Sequence, residues 1–143
     1  MASARWFSWR SLALAIGGGG IGVALRAVLL APVAAGAHPL VVPSITLAMN
    51  LAGSFLLGAV VGRLDDRHPR TRTFFGTGLI GGFTSYSAFA VQTVTTGTAA
   101  PVIGLLLILV SLFGGVILAA LGLVVGRRSA GVPAEVEAPE EAE

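Results

Sequence analysis

The stretch Gly78–Phe89, GLIGGFTSYSAF, decides the fold. Its flanks from Phe74 to Val94 are apolar enough for a membrane helix, yet it carries glycine at 78, 81 and 82 and hydroxyls at 84, 85 and 87. Glycine costs a helix about 1 kcal/mol relative to alanine, and Ser and Thr compete for the hydrogen bonds of the backbone. The pattern predicts a helix broken near the bilayer midplane. Carbonyls freed at that depth persist only where protein, water or an ion satisfies them, so the break is also the place to expect a site.

Outward from this stretch the chain divides into four apolar runs, Leu12–Leu30, Ile45–Gly62, Phe74–Val94 and Val102–Val125. Each is about as long as the ~20 residues that cross a hydrocarbon core. Of the 143 residues 55% are apolar and only 11% charged, which leaves no room for a soluble catalytic domain beside four such helices. The expected fold class is therefore all-α, with four transmembrane helices over residues 1–128 and a disordered acidic tail over 129–143. Arg26 and the lack of a clean cleavage site mark the first run as a retained helix and not a signal peptide. The absence of cysteine removes disulfides and thiolate metal sites.

Polar residues within the spans are few, and each has a bland alternative. Trp6 and Trp9, flanked by Arg5 and Arg10, form an interfacial collar. Gly18 and Gly22 are spaced for close helix approach, whereas Arg26 either snorkels to the interface or faces a water-filled vestibule. Pro32, His38 and Pro39 mark a loop, and the second helix is expected to start near Pro43. Thr46, Asn50, Ser54, Gly58 and Gly62 follow at steps of four, one slowly drifting face. Ser54, Gly58 and Gly62 suit a packing seam. Asn50 carries two N–H donors, and for it a pore role is expected ahead of packing. Tyr86 and Phe89 share a helix face, with Gln92 expected one turn further along the same side. The fourth helix, after Pro101, has Ser111 as its one central hydroxyl.

All seven carboxylates lie in the loop, at Asp65 and Asp66, or in the tail. A proton-coupled exporter of organic cations, as in small multidrug transporters, needs a carboxylate within the membrane, so that alternative is disfavoured. Hydrolytic chemistry lacks a base beside any serine. What the spans do hold is mostly hydrogen-bond donors, which suits an anion.

The segments GGGGIGVALR, TLAMNLAGSFLLG and GLIGGFTSYSAF resemble the three signature segments of the Fluc (CrcB) fluoride channels, in order and on the same helices. The resemblance implies a small four-helix protein that assembles as an antiparallel dimer in the plasma membrane. It implies a fluoride-specific channel exporting fluoride from the cytoplasm by electrodiffusion, without enzymatic chemistry, so limiting fluoride toxicity. Carried onto this chain, it places fluoride at Asn50, Tyr86 and Phe89, with Ser87 and Ser111 beside them and Arg26 in a vestibule. The carbonyls of Gly81 and Thr84 would hold a structural sodium ion that is not transported. Fluoride is small and strongly hydrated, so amide N–H groups, hydroxyls and aromatic ring edges would have to replace its water.

Three positions depart from the family pattern. Tyr86 stands where a phenylalanine is usual, Gln92 where many members have glutamate, and Ser111 alone where a longer hydroxyl track and a tyrosine are common. A non-conducting partner subunit of a heterodimeric channel therefore stays open. Charge points the same way: of nine arginines, all but Arg26 fall at the N-terminus, the second loop and the end of the fourth helix. In a four-helix topology these share one side, so both termini are expected in the cytoplasm. A partner of opposite orientation would then be a different homologue.

Overall fold

Large apolar side chains point outward in this molecule, and its helices meet through glycine. The computed structural model describes residues 8–33, 38–64 and 68–131. The expected collar at Arg5 and Trp6, the loop residues Asp65, Asp66 and Arg67, and the tail from 132 onward lie outside the described residues.

Every element among the described residues is helical. α1 spans Trp9–Leu30 and α2 spans Val41–Leu64. A short α3, Pro69–Arg72, opens the third run, continues as a π-helix over Thr73–Ile80 and ends in α4, Gly81–Phe83. Helix resumes in α5, Tyr86–Ala99, and after Ala100 turns directly into α6, Pro101–Ser129. Proline explains that sharp turn, since it bars the residue before it from helical geometry, and Ala100 sits at φ −145°, ψ 85°. Gly97 and Gly104 then approach backbone to backbone across the hairpin.

Three helices, α1, α2 and α6, with 22, 24 and 29 residues, are long and apolar enough to cross a membrane. α2 starts at Val41, with Pro43 inside its first turn, slightly earlier than Pro43 alone suggested. Among the described residues only Met49 and Ile80 are buried large hydrophobics, while Val28, Phe113 and Val116 are more than half exposed. In water such a surface would aggregate, whereas hydrocarbon solvates it. The chain is a multi-pass membrane protein.

Two glycine seams replace the missing core. Gly58 and Gly62 of α2 meet Gly122 and Gly126 of α6, each pressed against the other helix's backbone around Phe55, Ala59, Ala119 and Leu123. Matched pairs rise together along both helices, so α2 and α6 run parallel. On the other side Gly18, Gly19 and Gly22 of α1 face Gly78 and Gly82 of the third run. A Cβ at most of these positions would strike main chain, which cannot move aside as a flexible side chain can. Such close backbone approach gives van der Waals attraction in lipid, where hydrophobic exclusion gives none.

Candidate functional site

Between the two seams the third run leaves helical geometry. Thr84 sits at φ −82°, ψ 154° and Ser85 at φ −147°, ψ 109°. The interruption falls after the glycines and not among them. Gly78 and Gly82 remain helical and serve the seam with α1, while the hydroxyl residues make the turn. Thr84 Oγ1 donates to the Ile80 carbonyl at 3.0 Å, bending back on the helix it ends. Ser85 Oγ accepts the Ala88 N–H at 3.2 Å, a helix N-cap for α5.

Four backbone carbonyls, from Gly81 to Thr84, accept no helical hydrogen bond across this interruption, because α5 restarts its ladder with Phe89 donating to the Ser85 carbonyl at 3.3 Å. On the restarting side, the N–H groups of Tyr86 and Ser87 have no backbone acceptor among the described residues. Carbonyl oxygens and amide hydrogens without helical partners thus come from consecutive residues, one set suited to a cation and the other, at the positive end of α5, to an anion.

Asn50 holds the interruption open. Its Oδ1 accepts the Ser85 N–H at 3.1 Å and its Nδ2 donates to the Ser85 carbonyl at 3.5 Å, so the carboxamide pairs with one peptide residue on both edges. One Nδ2 hydrogen is left over. Asn50 therefore has a clear packing duty and a spare donor together. Ser54, one turn on, donates to the Asn50 carbonyl at 3.0 Å.

An open groove of about 760 Å³ runs beside this pairing, walled by α2, the third run and α6. It brings together Asn50, Gly81, Thr84, Tyr86, Phe89 and Ser111, six of the eight residues singled out from sequence. Ser54 also lines it, so the small-residue face of α2 divides: its upper half walls the groove and only Gly58 and Gly62 belong to the seam. The Tyr86 ring is 86% exposed.

The other two, Arg26 and Ser87, share a separate recess of about 480 Å³ with Ser85 and Gln92. Gln92 is thus not on the Tyr86 and Phe89 face as expected. Along α5 the step of four from Phe89 reaches Thr93, which does line the groove, whereas the step of three from Phe89 rotates Gln92 toward α1. Gln92 also borders a third cavity, about 430 Å³, under Pro39 and Leu40.

Two residues were not singled out from sequence as site members. Ser85 is one, although serine is a favoured N-cap residue wherever a helix restarts. Thr93 is the other. Its Oγ1, with Thr46 Oγ1 and Gln92 Oε1, is buried without a hydrogen-bond partner among the described residues. Nothing in the sequence sets Thr93 apart from Thr95, Thr96 and Thr98 of the same helix. Among the described residues no cluster of His, Asp or Glu suits a metal.

A family model described as CrcB-like protein, Camphor Resistance (CrcB), matches residues 12–123. The chain belongs to the CrcB family. Its match takes in α1, α2, the interrupted third run and most of α6. Relatives in the family include a Bacillus subtilis (strain 168) protein named fluoride-specific ion channel FluC 2, 41% identical over 92 residues, 63% of this chain and 70% of that one. A protein of Thermobifida fusca (strain YX) with the same name is 38% identical over 115 residues, 77% of this chain and 83% of that one. One from Mesorhizobium japonicum, named fluoride-specific ion channel FluC, is 36% identical over 125 residues, 82% of this chain and 96% of that one.

Proposed function

We propose that this chain is a fluoride-selective channel subunit that lets fluoride leave the cytoplasm down its electrochemical gradient, and that it is not an enzyme. Family membership supports this, and one structural observation carries it: the groove gathers Asn50, Tyr86, Phe89 and Ser111 at the start of α5, whose first N–H groups have no backbone acceptor among the described residues. These are donors and ring edges, and no carboxylate stands among the described residues to attract a cation. A cation exporter of the small multidrug type finds no support in that arrangement.

Groove and recess play different parts in this proposal. Asn50, Tyr86, Phe89 and Ser111 line the fluoride path, with Ser87 at its edge, and Arg26 draws anions into the recess. A half-open groove in lipid is not a pore. A second chain inserted in the opposite direction closes it, making an antiparallel dimer of four-span subunits, each with its third span interrupted. The carbonyls of Gly81 and Thr84, freed of helical partners, suit a hard cation that takes oxygen ligands, and a structural sodium ion between two copies fits them. Sodium would supply charge balance and order there, and is not transported.

The proposal is tested by expression, alone and together with an oppositely oriented CrcB relative, in a bacterium stripped of its own fluoride channels: if it holds, growth on fluoride is restored by the chain alone or raised above what the relative gives by itself, and if it fails neither happens. Orientation is a second proposal, that both termini lie in the cytoplasm and that the natural partner is a different homologue facing the other way. A reporter fused at the C-terminus reads out inside only if this is so. A substantial outside population contradicts it.

A further inference from the structure

The end of the molecule where α2 and α6 finish is built of arginine. Because the two helices run parallel along their seam, Gly62 lies against the Arg127 amide and Gly126 against the Arg63 amide. Their last turns therefore place Arg63 beside Arg127 and Arg128, and α3 begins at the same end with Arg70. All four side chains are exposed, and the described residues contain no Asp or Glu, the loop carboxylates Asp65 and Asp66 lying outside them.

The carbonyls ending α6 do not need these guanidinium groups. Ser129 Oγ donates to the Gly126 carbonyl at 2.8 Å, and the Ala130 N–H reaches the Gly126 and Arg127 carbonyls at 3.1 Å. Gly131, at φ 66°, completes the cap by donating to the Arg128 carbonyl at 3.2 Å. Directly below, Leu121, Val124 and Val125 are 51%, 44% and 51% exposed, a surface fit for acyl chains. Like charges crowded at the edge of an apolar surface repel one another unless an anion lies among them.

We infer that this arginine crown binds the phosphate group of an anionic phospholipid, held between the ends of α2 and α6. The planar guanidinium fork matches phosphate oxygens two at a time. A lipid satisfies the charges and covers the apolar side chains beneath them in one molecule. The acidic tail of Ala, Pro, Val and Glu has carboxylates to offer, but little to cover leucine and valine.

Native mass spectrometry of the full chain, released from detergent with phosphatidylglycerol or phosphatidylcholine, tests the inference. Expected is retention of phosphatidylglycerol at least fivefold above phosphatidylcholine, lost in the double variant Arg127→Gln, Arg128→Gln and undisturbed by millimolar inorganic phosphate. Size-exclusion behaviour of the variant shows that it is folded, and the charge-keeping pair Arg127→Lys, Arg128→Lys should retain part of the preference. Equal retention of both lipids, or unchanged retention in the glutamine variant, overturns it. So does retention that appears only after residues 132–143 are removed, which would give the crown to the tail.

Discussion

The two glycine seams use the same device and meet different fates. Between α2 and α6, glycines four apart join two uninterrupted helices, and the result is a rigid parallel pair. Between α1 and the third run, Gly78 and Gly82 pack just as closely, yet within a few residues the helix ends. Glycine cannot be the cause, since it is common to both. What differs is the sequence that follows: Leu123, Val124 and Val125 after Gly122, against Phe83, Thr84, Ser85, Tyr86 and Ser87 after Gly82. Hydroxyls that bond back to Ile80 and forward to Ala88 give the chain somewhere to go, and Asn50 accepts the peptide that turns.

Substitution in the α2–α6 seam should have the largest effect. Gly122→Val forces a branched side chain into the Phe55 and Ala59 backbone, and is expected to abolish recovery of monodisperse protein on size exclusion. Gly81→Ala, whose new methyl would meet only the Gly76 carbonyl at 3.8 Å, should be recovered normally. If both behave alike, the seam is not what holds the helices.

On the other side of the comparison, Asn50→Ala removes both bonds to Ser85 and the spare donor, and fluoride efflux should fall at least tenfold while folded protein is still obtained. Asn50→Asp keeps the acceptor for the Ser85 N–H but places an acid in the groove, so efflux should fall as far with less loss of thermal stability. Parental efflux in both variants would reduce Asn50 to packing. Ser85→Ala deletes the cap and an exposed contact with the Ser87 hydroxyl, and should lower stability by about 1 kcal/mol, read as a modest drop in melting temperature. Smallest of all, Tyr86→Phe removes a hydroxyl from a ring that is 86% exposed, and efflux should stay within about twofold.

Much of this was legible in the residues. Hydrophobic run lengths gave α1, α2 and α6, because lipid imposes a length that sequence displays directly. Helical spacing put Tyr86 and Phe89 on one face, and the family resemblance, not the spacing, pointed that face at a pore; both do line the groove. Gln92 does not, since a step of three after another step of three accumulates rotation and carries it off the face. The pairing of Asn50 with Ser85 was beyond reach, because it joins residues 35 apart across an interface that only packing defines. The interruption was read from glycines and hydroxyls together, and the two play different parts: the hydroxyls at Thr84 and Ser85 make the turn, whereas Gly78 and Gly82 serve contact with α1.

Fluoride efflux from vesicles is the most direct test of the central claim that the groove beside this interruption carries fluoride. Purified chain is reconstituted alone and together with an oppositely oriented CrcB relative, and fluoride and chloride release are followed with ion-selective electrodes. The account predicts fluoride release at least tenfold above protein-free vesicles in one or both preparations, with chloride no faster than in those vesicles. Release in the mixed preparation only would support the unlike pairing, and full activity of the chain alone would contradict that pairing while upholding the channel. Fluoride retained in both preparations, or chloride leaving as fast as fluoride, would contradict the account.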